Sequence, residues 1–196
     1  MVVTDTVFSM DGDVADVDEL AELCARHGAL LVLDEAHAVL GPHPDLTGLD
    51  AVRIGTLSKT VGALGGFVAG PARFTELIVN RARSYIFTTA LSPADTAAAL
   101  AAVGVIRSAE GGELVAGLRA NVERLRPGHP SPIVPVVFGD EARTLDAAAS
   151  LLDQGMLVPA IRPPTVLPGT SRLRVALSAA HAPSQVDALA AALAGL

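Results

Sequence analysis

Gly55-Thr56-Leu57-Ser58-Lys59-Thr60-Val61-Gly62-Ala63-Leu64-Gly65-Gly66-Phe67-Val68-Ala69-Gly70 sets one lysine among small hydroxyl residues and glycines, with a short apolar run on either side. Ala51-Val52-Arg53-Ile54 before it reads as a strand, and Phe67-Val68-Ala69 after the Gly65-Gly66 pair reads as a strand running back antiparallel. The lysine falls where the first strand ends and the backbone turns. Lysines as a type are mostly solvated, and the flanking glycines could serve only a tight turn. The neighbourhood decides between that reading and a chemical one.

Upstream, Ala29-Leu30-Leu31-Val32-Leu33 is a continuous apolar run, the pattern of a parallel strand covered on both faces. It ends in Asp34-Glu35-Ala36-His37. Asp16 to His27 reads as an amphipathic helix with Val17, Leu20, Leu23 and Cys24 on one face, acids at its start and Gly28 as its stop. Val2-Val3-Thr4 is a further buried strand, followed by a polar loop, Phe8 to Asp13. In open α/β sheets, ligands bind beyond the carboxyl ends of parallel strands. One such edge would here carry Asp34, His37, Thr56, Ser58 and Lys59. A partly desolvated lysine loses proton affinity and becomes a nucleophile toward an aldehyde. Hydroxyls and turn amides suit a phosphate, and a buried carboxylate suits a cationic ring nitrogen. These are the three things pyridoxal 5'-phosphate requires of a protein. Singly, Asp34 could be a helix cap and His37 a structural histidine; their joint occurrence at one edge favours the chemical reading.

The rest of the chain is also α/β. Pro71 to Arg83 is helical, Ser92-Pro93-Ala94-Asp95 is a well-formed helix start, and Leu114, Leu118, Val122 and Leu125 mark another helix. From about Pro130 the pattern runs strand (Ile133 to Phe138), helix (Glu141 to Gln154, closed by Gly155) and strand (Leu157 to Ile161). A loop with four prolines or glycines leads to an alternating strand with Leu173, Val175 and Leu177, then a helix after Pro183 with Val186, Leu189 and Leu193 inward. The expected organisation is a partial, mostly parallel three-layer α/β/α large domain over 1–105, a connecting helix over 106–129 and a small C-terminal α/β domain over 130–196.

Composition excludes several classes. A net charge of −7 over 196 residues does not suit a nucleic-acid binder or a polybasic membrane anchor. Cys24 is the single cysteine, so no internal disulfide forms and a reducing cytoplasm is the expected location. No metal-ligand spacing occurs, and no apolar run is long enough to span a bilayer. Asp34-Glu35-Ala36-His37 also spells the acidic box of nucleic-acid helicases, but the phosphate loop such a motor needs is missing: Arg53 and Ser58 stand where its glycines would be.

Four segments together resemble the α-oxoamine synthases, which are fold-type-I pyridoxal-phosphate enzymes. They are Thr4 to Asp13, Asp34 to His37, Gly55 to Lys59, and Ile161-Arg162-Pro163-Pro164-Thr165-Val166 with Arg172-Leu173-Arg174 and Ala179-Ala180-His181. They recur in family order over the whole chain, and the Arg-Pro-Pro-Thr-Val run favours the biotin-pathway branch. The resemblance implies a decarboxylative condensation of L-alanine with pimeloyl-CoA or a pimeloyl carrier thioester. A glycine-using acetyltransferase of the same family, or a catalytically silent assembly partner, is the alternative. It implies that Lys59 joins the cofactor aldehyde and later moves the Cα proton, and that Asp34 pairs with the ring nitrogen. His37 and Ser9 would lie on the phenolic-oxygen side, and Thr56, with Ser58 second, would bind the phosphate. Thr88 and Thr89 would reach the partner's phosphate in a homodimer. Arg162 would hold the substrate carboxylate, with Arg174 as runner-up. Family members carry a substantial segment ahead of the Thr4-to-Asp13 motif, with early strands, a glycine-rich phosphate loop and a ring-stacking histidine. The expectation is therefore a fragment, a mis-started reading frame or one half of a split enzyme.

Overall fold

The computed structural model describes residues 1–196. The chain forms two compact units, one of Met1–Val7 with Val14–Gly111, the other of Phe8–Asp13 with Gly112–Leu196.

In the first unit, β1 (Val2–Asp5), β2 (Leu31–Asp34), β3 (Ala51–Thr56) and β4 (Gly66–Ala69) make one sheet in that order, with α1 (Val17–His27) between β1 and β2. β1, β2 and β3 are parallel, and β4 returns antiparallel with Gly55 opposite Phe67 and Thr56 opposite Gly66. α1 forms because its start is capped: Asp16 Oδ1 accepts from the Glu19 amide at 3.0 Å. Val17 and Cys24, one turn-pair apart, pack with Leu31, Leu33 and Ala51 as a buried cluster. Leu23, expected on that face, is 38% exposed, since it lies about 120° round the helix from the Val17–Cys24 line. The sheet's two faces differ as well. Leu31 and Leu33 are fully buried under α1, whereas on the other face Val52 is buried but Val32 is only half-buried and Val3 and Ile54 are exposed. Coverage of β2 on both faces, as its apolar run predicts, is not found in this unit.

Three further helices complete it: α2 (Ala72–Arg81), α3 (Arg83–Ile86) and α4 (Pro93–Ile106). α4 starts as expected, with Ser92 Oγ accepting from the Asp95 amide at 3.1 Å and Pro93 in the first turn. α5 (Ala109–Leu125) carries the chain into the second unit. No helix is long and apolar enough to cross a membrane.

The second unit holds a three-stranded antiparallel sheet in the order β5 (Ile133–Gly139), β7 (Ser171–Ala176), β6 (Ala160–Ile161), with α6 (Glu141–Asp153) and α7 (Pro183–Ala194). β6 is two residues long, not the five expected from Leu157 to Ile161. Leu157 is 83% exposed and Pro159 contributes no amide to a ladder, so the apolar spelling of that segment does not make a strand. β7 departs from simple alternation because Arg172 is buried along with Ser171, Leu173 and Val175. Asn121 of α5, itself buried, donates from Nδ2 to the Ser178 and His181 carbonyls at 3.1 and 2.9 Å and so holds the turn that leads into α7.

Candidate active site

The candidate chemistry of the first unit gathers at the carboxyl ends of β2 and β3. Asp34 closes β2, and its backbone is fixed from the neighbouring strand: Thr6, fully buried, donates to the Asp34 carbonyl from both its amide (2.8 Å) and its hydroxyl (3.1 Å). The Asp34 carboxylate accepts from the Ala36 amide at 2.9 Å, an Asx turn that orients it just past the strand end. Its side chain is half-buried, not buried as expected. Glu35, one residue on, belongs to a different interaction. Arg53 Nε lies 2.9 Å from both Glu35 carboxylate oxygens, so that pair ties the ends of β2 and β3 together. Glu35 and Arg53 have structural roles that the sequence reading did not assign. The signal was available in the register, since Leu33 faces Arg53 and Glu35 follows on the same side.

Thr56 ends β3 with its hydroxyl 2.8 Å from Ser58 Oγ, and the Ser58 amide donates to Thr56 Oγ1 at 3.2 Å. Two hydroxyls and a turn amide therefore cluster directly before Lys59. The lysine sits in a tight turn closed by the Gly62 amide donating to the Lys59 carbonyl at 3.0 Å. Gly65, at φ +114°, makes the reversal that returns the chain to β4 in a region most residues avoid. Lys59 is exposed within this unit, contrary to the desolvation expected for it, because neither β4 nor the turn covers it. His37 is half-buried in the turn that follows Asp34. Thr88 and Thr89 are exposed beyond α3, and their hydrogen bonds stay within their own turn.

A groove of about 170 Å³ opens at the same edge, lined by Glu35, Arg53, Gly55, Thr56, Thr60 and Phe67 among others. It touches Thr56 but not Asp34, His37 or Lys59, so it is a neighbour of the candidate site and not the site itself. In the second unit, Arg162 follows β6 directly and is exposed, with its carbonyl accepting from the Thr165 amide at 3.0 Å. Ser9 and Arg174 also belong to that unit, and Arg174 Nε donates to the Ser9 carbonyl. The structure thus joins Asp34, Thr56, Ser58 and Lys59 at adjoining strand ends, and joins Ser9 to Arg174.

The donor set fits pyridoxal phosphate by its chemistry. It offers a primary amine, an oriented carboxylate and a hydroxyl pair with a turn amide, for an aldehyde, a ring nitrogen and a phosphate respectively.

The chain belongs to the aminotransferase class I and II family, whose model matches residues 1–193. Within it, the chain is 52% identical over 213 aligned positions to an 8-amino-7-oxononanoate synthase of Anaeromyxobacter dehalogenans, covering 100% of this chain and 54% of that protein. It therefore spans about half the length of the curated relatives it matches. Among solved structures, a serine palmitoyltransferase from S. paucimobilis with a bound PLP–myriocin aldimine superposes with a TM-score of 0.91 at 30% identity, over 99% of this chain and 54% of that one. An 8-amino-7-oxononanoate synthase from Francisella tularensis shares the fold, with a TM-score of 0.80 at 21% identity, over 98% of this chain and 61% of that one. The α/β architecture read from the sequence is the architecture of this family.

Proposed function

We propose that this chain supplies the lysine-bearing part of a pyridoxal-phosphate-dependent acyltransferase that condenses L-alanine with pimeloyl-CoA, or a pimeloyl carrier thioester, to 8-amino-7-oxononanoate with loss of CO2. The observation that carries the proposal is the convergence of Asp34, Thr56, Ser58 and Lys59 at adjoining strand ends, supported by the relatives' names.

Bound at that edge, pyridoxal phosphate supplies an electron-withdrawing ring that stabilises negative charge at the amino acid's Cα. The residues divide the remaining work. Asp34, anchored by Thr6 and the Ala36 amide, would keep the ring nitrogen protonated. Thr56, Ser58 and the turn amides would donate to the phosphate. Lys59 would hold the aldehyde end and, once released, serve as the base for the Cα proton. His37 and Ser9 would bond on the phenolic-oxygen side. Arg162, exposed and planar, would grip the substrate carboxylate at two oxygens.

The partner expected is a second copy of the chain, with Thr88 and Thr89 reaching the partner's phosphate. Phe87 at 72% exposure and Leu100 at 74%, on the α3–α4 stretch that carries those threonines, support association through that surface. A soluble cytoplasmic setting accords with the single cysteine and the acidic charge.

Incubation with pyridoxal phosphate, L-alanine and pimeloyl-CoA tests the reading. Mass spectrometry should detect 8-amino-7-oxononanoate, and equimolar CO2 should be released. Product with glycine and acetyl-CoA but none with L-alanine would move the chain to the glycine-using branch. No product from either pair would leave it a silent partner.

A further inference from the structure

Two arginines of one strand fasten the six-residue turn Phe8–Asp13 to the second unit. Arg172 is 7% exposed, an unusual place for a guanidinium; its Nε donates to the Thr170 carbonyl at 2.9 Å and its Nη1 to the Asp11 carboxylate. Arg174 donates from Nε to the Ser9 carbonyl, and burial holds its guanidinium below its ordinary pKa. Residues two apart on a strand share a face about 7 Å apart, so the pair grips turn positions that are themselves two apart. The turn is also closed from within, the Phe8 amide donating to Asp13 O at 3.0 Å and the Gly12 amide to Phe8 O at 2.8 Å. A third constraint is steric. Gly12 has φ +68°, and a β-carbon there would collide with the Ile133 carbonyl, so the turn lies hard against the start of β5.

A buried guanidinium with a single acid partner is not an economical source of stability. Fixing one conformation of a short turn is a better reason for burying Arg172 beside the half-buried Arg174 on one strand. We propose that Arg172 and Arg174 are positioning residues, which together set the Phe8–Asp13 turn and through it the location of the Ser9 hydroxyl. The fastening stands by itself; its use in placing Ser9 rests on the proposed function above. Arg174 thereby holds a task within the chain besides the carboxylate role expected of it as runner-up to Arg162.

Two measurements on the purified chain test this. The first is amide hydrogen exchange over residues 8–13, which needs no cofactor. Asp11→Asn and Arg174→Gln should each raise exchange there about tenfold, the loss expected of one charge-assisted hydrogen bond, with β5 unchanged. Asp11 is largely exposed, so its variant should fold even if substitutions of Arg172 do not. Arg174→Lys should restore part of the protection, since an ammonium can still donate to a carbonyl. Wild-type exchange in both variants would overturn the fastening. The second measurement is the Kd for pyridoxal phosphate by absorbance titration. Ser9→Ala and Arg174→Gln should each weaken binding, and the double variant should be no weaker than Ser9→Ala alone. Additive losses would overturn the positioning role. A wild-type chain that takes up no pyridoxal phosphate would overturn the proposed function and the target assigned to Ser9, while the exchange rates would still decide the fastening.

Discussion

Strands β3 and β7 are both six residues long, and each has a neighbour on both sides of its sheet, yet they use their polar residues in opposite ways. Along β7, Leu173 and Val175 are sealed in the second unit's core, and Arg172 and Arg174, which alternate with them, are committed to Thr170, Asp11 and Ser9 of the same unit. Along β3, only Ala51 and Val52 are buried; Ile54 is exposed and Thr56 ends in a hydroxyl cluster open at the sheet edge. One strand directs its chemistry inward to hold a turn, and the other presents it outward where a ligand can meet it. A ligand site needs groups whose bonding capacity the fold has not consumed, and the end of β3 meets that condition better than β7 does.

Substitutions can break this contrast. Leu173→Ala, at a fully buried position, should cost about 3 kcal/mol in a urea titration of the second unit. Asp34→Asn keeps the shape of the carboxylate but not its charge. It should weaken pyridoxal-phosphate binding about thirtyfold by absorbance titration, the loss of one charge-assisted contact. Thr56→Ala should weaken it about tenfold and also loosen Ser58, whose hydroxyl and amide both lean on Thr56. Ile54→Ala should cost well under about 1 kcal/mol in the first unit's urea transition, since a surface substitution away from special features does little. If Ile54→Ala proved as costly as Leu173→Ala, β3 would be no more open than β7 and the contrast would fail.

Much of the fold could be read from residue spacing. The parallel character of β2, the antiparallel return of β4 and the starts of α1 and α4 follow from apolar runs, glycines and caps, which are local signals. What escaped was non-local. The apolar run Ala29–Leu33 could not reveal that the Leu31 and Leu33 side would be sealed while the Val32 side is covered only in part, at Val52, within this unit. Leu157-Val158-Pro159 spells a strand, but the proline withholds an amide and β6 begins later. Of the candidate site, Asp34, Thr56, Ser58 and Lys59 could be placed together because strand ends in a parallel sheet share an edge. Thr6 as the anchor of the Asp34 carbonyl, the Glu35–Arg53 pair and the grip of Arg172 on Asp11 depend on register and on contacts as far as 161 residues apart. Lys59 was expected to be partly desolvated; its exposure in this unit shows that glycine-flanked spelling marks a turn and says nothing about what covers it.

Lys59 is the amine proposed to capture the cofactor. The direct measurement is to incubate the chain with pyridoxal phosphate, reduce with borohydride, digest and locate the label by mass spectrometry. A pyridoxyl group is expected on Lys59 and is lost in Lys59→Ala, while the variant's urea transition stays within about 0.5 kcal/mol of wild type because the side chain is exposed. An unlabelled Lys59 in a folded wild-type chain would contradict it.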